Sequence, residues 1–174
     1  MTQLDELYRF VHSNLPERLM DTTGADAWMD DIELIHAAKA KGVNQSGKNQ
    51  RRVQVRRYNA TLAWERWPYR QYDPDVLFGL VAAWLIEHPN EHYNQLELDP
   101  PAVFVQLMDD GNAIITITVP LADDIDLVED ENGMIPLQGK RYSVAPAQVS
   151  VATRGWIYGA GHVGAPVGDE GDAS

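Results

Sequence analysis

Two histidines flank a glutamate in His88-Pro89-Asn90-Glu91-His92, an H-x-x-E-H spacing. On an unbroken helix this spacing sets both imidazoles on one face, where they share a zinc ion while the glutamate polarises water. Here Pro89 follows the first histidine. Proline disfavours helical geometry at the residue before it, so a helix is expected to end at His88, where an imidazole suits the negative end of the dipole. Gly159-Ala160-Gly161-His162-Val163-Gly164 matches the G-x-G-x-x-G spacing of dinucleotide sites. That chemistry needs a following helix and an acid about 20 positions on, and ten residues follow Gly164. A glycine-rich extension is the expected reading.

The carboxylates divide into two groups. Asp109 and Asp110 are adjacent and belong to a turn, Asp109-Asp110-Gly111-Asn112, where neighbouring carboxylates are solvated rather than paired for acid–base work. Asp123, Asp124, Asp126, Glu129, Asp130 and Glu131 lack the alternating ligands, sixth-position glycine and twelfth-position glutamate of an EF-hand. A solvated acidic loop or an acidic interface is expected. Lys48, Arg51, Arg52, Arg56 and Arg57 form the one basic block, with Tyr58, Trp64, Trp67, Tyr69 and Tyr72 after it. A nucleic-acid surface would combine such charges with aromatic platforms, but aromatics in a strand more often serve a core. The chain has no cysteine, which excludes disulfides, thiol nucleophiles and Cys-ligated metals. No Ser-His-Asp signature is present. No catalytic residue, cofactor or metal ligand is expected.

Several elements must position these groups. Leu4, Leu7, Tyr8, Val11 and Leu15 follow helical spacing, which predicts an amphipathic helix over 3–15, halted at Pro16. Trp28–Ala40 suits helix or strand, and a strand is preferred because 41–50 reads as a polar loop and Arg51–Trp67 as a long strand. The pair makes a long hairpin. Residues 74–87 form the best-marked helix: Asp73 can cap it, Pro74 suits its first turn, Asp75 suits its positive end and Pro89 stops it. Gly79, Ala82 and Ala83 leave room for a close neighbour. Val103–Met108 and Ala113–Pro120 form a second hairpin about the 109–112 turn. Asp130–Gly133 reads as a turn, 141–157 as one or two strands, and 159–174 as a mobile tail.

The chain has 174 residues, 44% of them hydrophobic, which suits one domain with a full core. No apolar run approaches the roughly 18 residues of a membrane helix, and the start, Met1–Glu6, lacks the basic-then-apolar pattern of a signal peptide. A cytoplasmic chain and no membrane partner are expected. Net charge is −12, which argues against phosphate-driven nucleic-acid binding. Residues 1–72 hold 11 Lys/Arg against 9 Asp/Glu, whereas 73–174 hold 3 against 17. Two halves of opposite sign could draw copies of the chain together.

The ordered segments resemble the GpR-type tail completion proteins of contractile-tailed, peduovirus-type bacteriophages. The likeness rests on Leu4-Asp5-Glu6-Leu7-Tyr8 with Leu15-Pro16, Trp28–Leu34, Tyr58–Glu65, Leu80–Pro89 against that family's "LL-x-WL-x-x-x-QP" helix end, and Val103–Val119. It covers roughly 4–145 and departs at the polar insertion 41–52 and the extension 146–174. It implies a structural myovirus or prophage virion protein that caps the head-proximal end of the tail tube as a sixfold ring. Such a ring contacts tube and sheath subunits and the neck connector, with DNA only as a passing strand. It is assembled in the bacterial host cytoplasm.

The expected fold is a single α+β domain over 1–145, in the order α-β-β-α-β-β, with a largely antiparallel sheet packed against helices as in tail-terminator proteins. Residues 146–174 form a partly mobile extension. Arg51, Arg52, Arg56 and Arg57 are expected to meet a neighbouring subunit or the tube. Asp109, Asp110 or the run holding Asp123, Asp124 and Asp126 is expected to face the lumen or an interface. The alternatives are a neck or head-closure protein, and an acidic inhibitor or immunity-type protein that binds a basic partner.

Overall fold

The computed structural model describes residues 1–146, together with a short two-strand ladder, Trp156–Ile157 with Ala165–Pro166. Helix α1 runs Gln3–Ser13 and α2 is one turn, Glu17–Met20. Strands β1 (Ala25–Val43) and β2 (Asn49–Trp67) follow, then α3 (Asp75–Glu87) and the one-turn α4 (His92–Gln95). The remaining sheet strands are β3 (Ala102–Leu107), β4 (Ala113–Glu129), β5 (Ile135–Leu137) and β6 (Lys140–Val144). The α+β class and the antiparallel sheet are as expected. The order is richer than α-β-β-α-β-β, because two one-turn helices and the β5–β6 hairpin are added.

The sheet runs β1-β2-β4-β6-β5, all antiparallel, with β3 beside the first half of β4. Strand alternation writes its core face. Tyr58, Ala60, Leu62 and Trp64 of β2 lie level with Leu121, Val119, Ile117 and Ile115 of β4, and all eight are buried. On that face α1 contributes Leu4, Leu7 and Val11, and α3 contributes Leu77, Val81 and Trp84. Each fully buried side chain of this size stabilises the fold by roughly 1.5–3 kcal/mol. Helix α1 starts at a capping box, in which Thr2 and Asp5 each satisfy the other's backbone N–H. The N-cap of α3 is Pro74, with no side-chain cap bond. Asp73 still accepts the Asp75 N–H at 2.9 Å.

The expected loop 41–50 is shorter than the sequence suggests. It shrinks to 44–48, where the Asn44 carboxamide accepts the N–H groups of Ser46 and Lys48 at 3.0 and 2.9 Å. A second correction concerns the acidic run. Residues 121–129 are not a loop but the second half of β4. Basic side chains across the sheet neutralise these acids, and the alternating apolar residues there allow the strand to continue. At the 130–133 turn, a Cβ on Gly133 would strike the Tyr142 carbonyl, so only glycine fits.

Candidate functional site

Pairing of β2 with β4 brings the basic block onto the acidic run. Arg52 lies level with Asp126 and Arg56 with Asp123. A register shift between Arg52 and Gln54 separates these two pairs. Arg56 Nη2 lies 3.4 Å from Asp123 Oδ2. Arg52 Nη1 lies 3.2 Å from Asp124 Oδ1 and 3.1 Å from Glu91 Oε1, and its Nε donates to the Ala37 carbonyl at 2.8 Å. Lys41, from the far end of β1, reaches Asp124 Oδ2 at 2.7 Å and Asp126 Oδ2 at 2.6 Å. Arg51 and Arg57 take weaker partners. Arg51 donates to Gln138 at 3.1 Å, and Arg57 comes within 4.0 Å of Glu33.

These charges border a polar groove of about 440 Å³, closed on one side by the segment joining α3 to α4. Asn90 holds that segment to the sheet by donating to the Ala122 carbonyl at 2.7 Å, and its own oxygen accepts the His92 N–H at 2.9 Å. His92 is buried, with Nε2 2.6 Å from Asp124 Oδ1. Glu91, His92 and Asp124 therefore converge with ligand atoms inside 4.8 Å of one another. Such a triad could hold a cation. However, Arg52 already occupies the same Asp124 oxygen, and Lys41 the other. The local positive charges disfavour a further one.

The electrostatics are those of a neutralised cluster. Burial pushes the Asp124 carboxyl up, but hydrogen bonds from Lys41 and His92 and the charges of Lys41 and Arg52 outweigh it and hold the group below its ordinary value. Burial likewise opposes charge on Lys41, and its bonds to Asp124 and Asp126 overcome this and raise it. Asp123 serves α1 instead. It accepts the Gln3 N–H at 3.2 Å and the Tyr58 hydroxyl at 2.7 Å, at the positive end of the helix. Burial and the Asp123 charge push the Tyr58 phenol far up.

The predicted site residues are thus separated in three ways. Arg52 and Arg56 are brought to Asp123, Asp124 and Asp126, inside one chain. Arg51 and Arg57 lie outside that cluster. Asp109 and Asp110 sit in the β3–β4 turn, roughly 40 Å along the strand path from Asp123. There Asp110 meets Arg66 at 2.8 Å and accepts the Asn112 N–H at 3.1 Å. The H-x-x-E-H motif is broken as its proline implies. Helix α3 ends at Glu87, and His88 stacks on Trp84 with Nδ1 2.9 Å from the Trp84 carbonyl. The participation of Glu91, His92 and Lys41 was missed. No spacing in the sequence links them to Asp124. The G-x-G-x-x-G segment lies outside the described residues, as do most of the 159–174 tail and most of the 146–174 extension.

A cluster whose acids are paired with basic groups of the same chain, on long strands, suits a structural part better than a reaction site. The class is that of bacteriophage tail completion proteins, components of the virion tail. The chain belongs to the family of the P2 phage tail completion protein R (GpR), which it matches over residues 1–146. No curated protein and no solved structure matches the chain. Among the described residues no helix is long and apolar enough to cross a membrane.

Proposed function

We propose that the protein caps the head-proximal end of the tail tube as a hexameric ring and prepares the tail for joining to the head. The family match over 1–146 carries this reading. In it, residues 1–145 form the capping domain and 146–174 an extension, and assembly takes place in the host cytoplasm. The partners are further copies of the chain, tube and sheath subunits and the neck connector, and DNA passes through the lumen.

The charge arrangement supports a division of labour among the candidate residues. Arg52 and Arg56 are engaged with acids of their own chain, so they stiffen the subunit. Arg51 and Arg57 have weaker partners and are the ones we assign to the tube. Asp109 and Asp110, on an outer turn, are the acids best suited to a lumen wall, where negative charge keeps DNA from adhering. Asp123, Asp124 and Asp126 are engaged with basic groups of their own chain, and we assign them to stiffening the subunit.

Negative-stain electron microscopy of particles from an induced host lacking this gene tests the reading. Overlong tails, or tails unjoined to heads, are expected, and the intact gene supplied in trans should restore them. Supplying R51E/R57E should leave the defect in place. Normal joined tails in the deletion would overturn the function.

A further inference from the structure

The four strands β1, β2, β4 and β3 form an antiparallel block whose outer members, β1 and β3, each pair on one side only among the described residues. The two outer sides differ. Beyond Asp30, β1 carries register shifts, the positive-φ residue Asp31 and the charges of Glu33, Lys39 and Lys41. These features deter pairing with another strand. Strand β3 has none of them. It holds no charge and no proline, its register with β4 is continuous, and Val103, Phe104, Val105 and Leu107 are 46, 59, 44 and 64% exposed. An apolar edge of this kind, unpaired among the described residues, is a template for a further strand.

One stretch of β1 matches it. Residues 25–30 run in continuous register with β2, six residues long like β3. Strand directions alternate through the block, so β1 and β3 point oppositely, and head-to-tail repetition of the subunit would set them antiparallel. We propose that β3 of one copy pairs with residues 25–30 of β1 in the next copy, continuing the sheet around a ring. This rests on the ring reading above and names its lateral contact.

The pleat supports one register. Val105 and Ala27 lie on the helix-covered face, level with the core residues Ile115 and Leu62, whereas Phe104 and Trp28 lie on the opposite face. Setting Phe104 against Trp28 of the next copy makes an aromatic pair. It also sets Val105 against Ala27, and Gln106 against Asp26. Asp26 now accepts the Ala27 N–H at 2.8 Å, guarding the strand. The Gln106 amide offers that carboxylate another donor, which releases the Ala27 N–H. Pairing β3 with β3 about a two-fold axis would join only two copies and leave the 25–30 stretch open. A six-residue edge buries less than the roughly 800 Å² per partner of a stable complex, so a single contact is weak. Ring closure gives every copy two contacts and supplies the missing affinity.

The absence of cysteine makes the test clean. In the full-length variant W28C/F104C, the two thiols of one copy are three strand spacings apart, roughly 14 Å, beyond the ~7 Å Cα limit for a disulfide. Between paired copies they stand directly opposite. Under oxidation at high protein concentration, the double variant should give a covalent ladder ending at a closed ring, while W28C and F104C alone stay monomeric on a non-reducing gel. Dimers from F104C alone would show two-fold pairing and overturn the proposal, as would a double variant that forms no ladder. A second variant, F104K, alters an exposed side chain only. It should keep the urea midpoint and the circular dichroism spectrum while losing the ring by analytical ultracentrifugation, and an unchanged oligomer would overturn the proposal. Overlong tails in the deletion strain, together with no ladder, would discard this contact and leave tail completion standing. Normal tails together with a ladder would do the reverse.

Discussion

The two halves of the β2–β4 ladder are built from the same backbone and held by opposite means. From Ala113 to Leu121, β4 is held by apolar burial: Ile115, Ile117 and Val119 meet Trp64, Leu62 and Ala60 beneath α1 and α3. From Asp123 onward the helices meet the strand through polar side chains, Asp123 at the start of α1 and His92 of α4 on Asp124, and Lys41, Arg52 and Arg56 neutralise its acids. The first means stabilises strongly and fixes register. The second adds less net free energy, because each ion gives up hydration to form its pair. It lets a long strand run beyond its core without losing its place.

The comparison breaks first in the apolar half. Trp84 is fully buried under α3, so W84A should cost about 3–5 kcal/mol in urea unfolding. A loss near 1 kcal/mol would mean that the helices contribute little and the charge ladder holds the fold. In the charged half, D124N keeps the shape but removes the charge that Lys41, Arg52 and His92 share. Its expected cost is smaller, about 1–3 kcal/mol.

Acid sharpens the contrast further, because the two halves fail in different windows. Asp124 has a depressed folded value. Its stabilisation is complete above the ordinary value of 3.8 and is lost as pH falls through the lower folded one. D124N should flatten the stability curve in that range alone. Lys41 acts at the other end: its value is raised above 10.5, so its contribution is present below 10.5 and lost as pH rises past the folded value.

In the apolar half, His12 stands edge-on to Tyr8, with ring centroids 3.8 Å apart, and faces Trp64 at 6.2 Å. Burial lowers its value from 6.5 to about 4. The unfolded chain therefore takes up a proton that the native state refuses, and stability falls as pH drops from 6.5 towards 4. With partial solvent access discounted, that loss is on the order of 1 kcal/mol. H12L should abolish it while leaving the acid limb below pH 3.8 in place. A single shared acid transition in both variants would show that the two halves titrate as one.

Much of the architecture was legible in the residues. Pro89 placed the end of α3, Gly111 and Gly133 marked turns, and the helical spacing of Leu4, Leu7 and Val11 outlined α1. Each depends on backbone sterics or on a few neighbouring side chains. The acidic run was misread because local composition, rich in Asp, reads as loop. Its strand character comes from β2 alongside it. The candidate site was legible only as its separate charged parts.

The opposite signs of the two halves suggested attraction between copies, and part of that attraction is met within one chain, through Lys41, Arg52, Arg56 and Arg66. Lys41 lies 83 positions from Asp124, and Arg56 lies 67 from Asp123. Composition and local pattern alone determined the main helices and strands outside the acidic run, the turns and the charge asymmetry, because those are set by sterics and by counting. Which arginine meets which aspartate, and which strand edge stays open, were decided only by the tertiary structure. A one-residue slip of β2 against β4 would turn every side chain to the other face, and only packing beneath α1 and α3 selects one register.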